Sequence, residues 1–135
     1  MRVWRVSDRQ GNSVLGRIIS PIGIEKLSRS FGVEMAIRLS PAEMIFGARG
    51  AEGVLIPGLG SARLISVHVN DTRRLEIRDF PAARRDWLKS IGCFTDIIAY
   101  KTRLFIPADR APGILEQIIC TGAQWDKLVD LNAAA

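Results

Sequence analysis

Residues 63–92 spell out a β-hairpin followed by a helix, and that order constrains the fold more than any other stretch of the chain. In RLISVHV (63–69), Ile65, Val67 and Val69 alternate with Leu64, Ser66 and His68, the two-residue period of a strand with unlike faces. Asn70-Asp71-Thr72 is turn chemistry, and the strand 73–79 returns with Leu75 and Ile77 facing inward. Pro81 then stands where a helix begins and Gly92 where it ends. The same order appears near the amino terminus. MRVWRV and SVLGRII flank the turn residues 7–12, and Ser20, Pro21 and Gly32 bracket a helix with Ile24, Leu27 and Phe31 on one side. The pattern predicts two hairpin-helix units about sixty residues apart.

The rest of the chain is read in the same terms. Ser40-Pro41-Ala42-Glu43 predicts a short helix opened by a capping box. The glycines at 47, 50 and 53 stop it, and Val54-Leu55-Ile56 follows as a buried strand. Asp96–Ile106 reads as a long central strand with Ile98, Tyr100, Leu104 and Ile106 on one face, or as two strands bent near Lys101-Thr102. After Pro112, the spacing of Ile114, Leu115, Ile118 and Ile119 predicts a helix; Trp125, Leu128 and Val129 predict another beyond Gly122, with residues 132–135 frayed. Hairpins mixed with helices, without a strict βαβ alternation, indicate an α+β fold in a single domain spanning residues 1–135. A chain of this length buries enough surface to need no covalent staple.

Composition narrows the function classes. At 47% hydrophobic and 24% charged, the chain has the balance of a folded protein rather than a disordered one. It holds no run of eighteen apolar residues, so no membrane partner is expected. The segment MRVWRVSDRQ lacks an apolar leader, and the cytosol is the expected compartment. Cys93 and Cys120 are expected to be reduced, small buried hydrophobes. With two cysteines and one histidine, the chain cannot supply a zinc site.

Catalytic signals are absent. FGARGAEG (46–53) lacks the strand-before-helix order of a dinucleotide site, and GLGS (58–61) lacks the lysine of a Walker loop. His68 shares a strand face with Ser66, but two strand positions span about 7 Å, too far for a direct hydrogen bond. No catalytic residue, metal or cofactor is therefore expected, and a non-enzymatic role is favoured. Trp4, Trp87 and Trp125 have apolar neighbours and are assigned to the core rather than to base stacking.

Charge gives the one directional signal. Of the net +5, residues 61–106 carry nine basic and five acidic side chains, a balance of +4. Arg73, Arg74 and Arg78 lie on the second hairpin, Arg84, Arg85 and Lys89 on the helix after it, and Lys101 and Arg103 on the following strand. Arg85 and Lys89 stand side by side at i, i+4, and the stem of Arg84 runs along the apolar arc with its head at the edge. These eight residues are the candidate nucleic-acid contacts, acting on DNA or RNA phosphates rather than on bases. The sequence thus points to a non-catalytic nucleic-acid-associated binding or accessory module. Its alternative is a protein-protein interaction module or subunit, a homo-oligomer or part of a larger complex, without nucleic-acid contact.

Overall fold

The computed structural model describes residues 2–7, 13–19, 35–119 and 124–127. They form two five-stranded antiparallel sheets with two helices, an α+β architecture. The first sheet contains β1 (Arg2–Ser7), β2 (Ser13–Ile19), β3 (Met35–Ser40), β4 (Glu43–Gly47) and β10 (Gln124–Lys127), in the order β10-β1-β2-β4-β3. The second contains β5 (Val54–Leu55), β6 (Arg63–Val69), β7 (Thr72–Arg78), β8 (Phe94–Ile98) and β9 (Lys101–Ile106), in the order β5-β6-β7-β9-β8. Helices α1 (Arg85–Ser90) and α2 (Ala111–Ile119) each follow a short 3-10 turn, Ala82–Arg84 and Ala108–Arg110.

The second hairpin-helix unit forms as expected. Asn70 and Asp71 take φ of 51° and 64°, which makes the β6–β7 connection a type I′ turn suited to strand twist. Pro81 is extended and cannot donate to a ladder, so the chain leaves the sheet there and turns into α1. Gly92 ends it at φ +120°, where a Cβ would also press on Ile114 and Arg110. Helix α2 buries Ile114, Leu115, Ile118 and Ile119, the four positions its spacing picked out.

One cluster of buried side chains joins the two sheets. Leu15, Ile37 and Ile45 from the first sheet pack with Leu64, Leu75, Ile77, Leu104 and Ile106 from the second, and with Leu88 of α1 and Leu115 of α2. Register fixes which face of the second sheet points inward. Leu64 opposes Ile77 and Ser66 opposes Leu75, so Ile65, Val67 and Val69 share the outer face with Arg74 and Glu76. Ile65, Val67 and Val69 therefore lie outside the cluster that joins the sheets, yet Ile65 and Val69 are buried while Ser66 and His68 are exposed, the contrast their alternation indicated.

Three element assignments are overturned. Ser40 to Glu43 is not a helix start: Pro41 and Ala42 form the turn between β3 and β4, and Ser40 Oγ accepts from the Ala42 N–H at 3.3 Å. Met44, Ile45 and Phe46 are all buried, as in a strand covered on both faces. The 96–106 segment is two strands folded at Ala99-Tyr100 rather than one, with the bend two residues before the expected alternative. Residues 124–127 form no helix but pair with β1, Trp125 opposite Val6. The helix expected after Ser20, the positions Leu128 and Val129, and the tail 132–135 lie outside the described residues.

Candidate nucleic-acid interface

Strand alternation carries Arg74, Glu76 and Arg78 of β7 to one face, and the pairing of Glu76 with Phe105 brings Arg103 of β9 beside them. Glu76 is 4% exposed and lies at the centre. Its carboxylate accepts from Arg78 Nη2 at 2.9 Å, from Arg103 Nη2 at 2.5 Å and from Arg103 Nε at 3.1 Å. Burial pushes the Glu76 carboxyl up, but the hydrogen bonds and charges of Arg103 and Arg78 outweigh it and hold the group below its usual range. Arg78 also donates to Glu52 at 2.7 Å. Arg74 donates to Asp96 at 2.8 Å, and the Arg74 and Arg103 guanidiniums lie 5.1 and 5.6 Å from the centre of the buried Phe105 ring. Three guanidiniums therefore meet three carboxylates, Glu52, Glu76 and Asp96. This part of the predicted basic surface is electrically balanced.

Asp96 has a second contact. Its Oδ1 accepts from the N–H of Ile97 at 2.9 Å while Oδ2 holds Arg74. The hydrogen bond from Arg74, then that from Ile97, lowers its pKa. Ile98 and Lys101 flank a two-residue turn and so bond to each other, which aims the Ile97 N–H away from β9, off the sheet. β8 is the outermost strand of its sheet, so Asp96 covers a donor that edge strands ordinarily leave open.

Helix α1 presents a different surface. Leu88 is fully buried among the inner-face residues Leu75, Ile77, Leu104 and Ile106, which places α1 on the side of the sheet opposite Glu76. Arg84, Arg85 and Lys89 are exposed there and form no ion pair among the described residues. The Arg84 guanidinium lies 4.2 Å from the ring centre of the half-buried Trp87, and Arg85 lies 5.9 Å from that of Phe80. Asp86 is the one acid in this helix.

The remaining two candidates sit apart from both groups. Lys101 is exposed beside the β8–β9 turn, on the Glu76 face by alternation. Arg73 opposes His68; its Nε donates to Ser66 Oγ at 2.7 Å and its Nη2 donates to the Arg38 carbonyl of β3. The eight residues are thus not brought to one surface. The sequence placed Glu76 between Arg74 and Arg78 with the right period to share their face; the parts played by Glu52 and Asp96 follow from register and had no local signal. His68 is exposed, and among the described residues no three His, Cys, Asp or Glu side chains converge on a metal site. No described helix is long and apolar enough to cross a membrane. The chain matches no known family model, no curated protein and no solved structure.

Proposed function

We propose that this protein is a non-catalytic module that binds nucleic acid through phosphate contacts made by α1. The observation that carries the reading is the contrast between two sets of cations. Arg74, Arg78 and Arg103 are committed to carboxylates, whereas Arg84 at the N-cap of α1 and Arg85 and Lys89 within it have no carboxylate bonded to them among the described residues. Stacking of Arg84 on Trp87 restrains its guanidinium without using its donors, so less order is lost when a phosphate arrives. Such contacts position a backbone without reading sequence.

The test is the salt dependence of binding to a fluorescent duplex and to its single strand. Binding is expected at roughly 50 mM salt and should weaken steeply by roughly 200 mM. Arg85→Glu with Lys89→Glu should lower the log–log salt slope by about two while leaving the fold intact. Absence of binding at low salt would overturn the proposal.

A second reading, association with a protein partner, is supported by a separate observation. Phe94 and Ile97 on the edge strand β8, and Tyr100 at its turn, are large apolar or aromatic side chains left exposed. Ile97→Lys should abolish any self-association seen by sedimentation, and a monomer at all concentrations would remove the homo-oligomeric form of this reading.

A further inference from the structure

The surface around α1 holds aromatic rings as well as cations. Trp87 and Phe80 are half-buried and pack against the cluster of buried side chains that joins the sheets. Leu88, fully buried beside Trp87 in the chain, anchors α1 to that cluster. The sequence assigns Trp87 to the core alone, but in the structure each ring also meets an arginine. The Arg84 guanidinium lies over the indole, 4.2 Å from its centre. Arg85, at 5.9 Å from the Phe80 ring centre, is near the outer limit of such contacts.

A guanidinium has two faces and a rim. Its five N–H donors point outward in its own plane, so a ring against one face leaves all of them open. In Arg84 the indole takes one face. The residue is exposed, and among the described residues no hydrogen bond or ion pair engages its guanidinium. Its second face and its rim are therefore open to solvent. Phosphate contact would use the rim alone; the second face suits a flat partner.

We propose that this surface binds single-stranded nucleic acid, with one base stacked on the open face of the Arg84 guanidinium that Trp87 supports. The proposal deepens the phosphate-binding reading of α1 and rests on it. Bases in a duplex are covered by their neighbours, whereas an unpaired base can leave its stack and lie on an arginine plane. In a stack of indole, guanidinium and base, the rim donors of Arg84 remain available to the flanking phosphate. Arg85 and Lys89 are assigned to phosphate alone. These three cations outnumber Asp86, the one acid of the helix, as a polyanion requires. Every base has a π face, so little sequence preference is expected.

The test uses the full chain and three probes at one salt concentration: oligothymidylate, an abasic strand with the same number of phosphates, and a duplex with that number. Oligothymidylate should bind about fivefold or more tighter than either of the others, the least that one stacked base contributes. Arg84→Lys keeps the charge but replaces the plane with an ammonium, and should bring the ratio of oligothymidylate to abasic affinity down to about one. Equal binding of oligothymidylate and the abasic strand, or of oligothymidylate and the duplex, would overturn the stack and leave the phosphate reading of α1 standing. An unchanged ratio in Arg84→Lys would overturn it in the same way. Failure of all three probes to bind would overturn both.

Discussion

At neutral pH Glu76 is a buried anion held by Arg78 and Arg103. Removing one member of a fully buried pair typically costs about 3–5 kcal/mol. Both arginines keep solvent access here, so Glu76→Ala should cost less, about 2 kcal/mol in chemical denaturation. Because its folded pKa is depressed, Glu76 binds a proton more readily in the unfolded chain. Its stabilisation is therefore complete above the ordinary glutamate range, near pH 4, and is lost as the pH falls through the lower folded value. Denaturation midpoints between pH 7 and 3 should fall less steeply in Glu76→Gln than in the parent protein. Among the described residues Cys93 is the other buried titratable group, and burial alone pushes its thiol up to about 11. In a Cys120→Ser background a thiol reagent at about pH 8 should modify Cys93 only at the rate of unfolding, since the thiolate is the reactive form.

The hairpins differ in how well their turns suit their backbone. Asn70-Asp71 supplies residues that tolerate positive φ, whereas the β8–β9 turn places Ala99 and Tyr100 at 51° and 65°, where a Cβ costs about 1–2 kcal/mol per residue. Replacing Ala99-Tyr100 with Asn-Gly should raise stability by about 1 kcal/mol, read as an upward shift in the urea midpoint. That unfavourable turn is also why residues 96–106 read as one strand: alternation continues through Ala99-Tyr100 and no Asn, Gly or Pro marks the reversal. The second hairpin and its helix were legible because Asn70, Pro81 and Gly92 each fix a backbone angle or remove a donor. Ser-Pro-Ala-Glu misled because serine and proline serve a tight turn as well as a helix start, and the decision came from pairing with a distant strand. Glu43 illustrates this: it forms an ion pair with Arg17 of β2 instead of closing a capping box. Trp125 likewise lies on a strand because β1 supplies a partner, and no spacing within 122–129 announces that.

Leu15, Ile37 and Ile45 bind the first sheet to the second through one set of buried side chains, so the α+β class was readable from element types while the way the sheets meet was not. Ile45 is fully buried at this junction. Ile45→Ala should cost about 2–5 kcal/mol, and far-ultraviolet circular dichroism and Trp87 fluorescence, read in a Trp4→Phe, Trp125→Phe background, should report the same shifted midpoint; separate transitions would show that the sheets unfold independently. The contact between Asp96 and the Ile97 N–H reaches further than one hydrogen bond. A carboxylate that occupies an edge donor also keeps neighbouring molecules from templating on that edge, so the shelf life of a concentrated solution depends on it. Asp96→Ala should leave the monomer folded yet shorten the lag before fibres scatter light, with Ile97 buried in the growing seam.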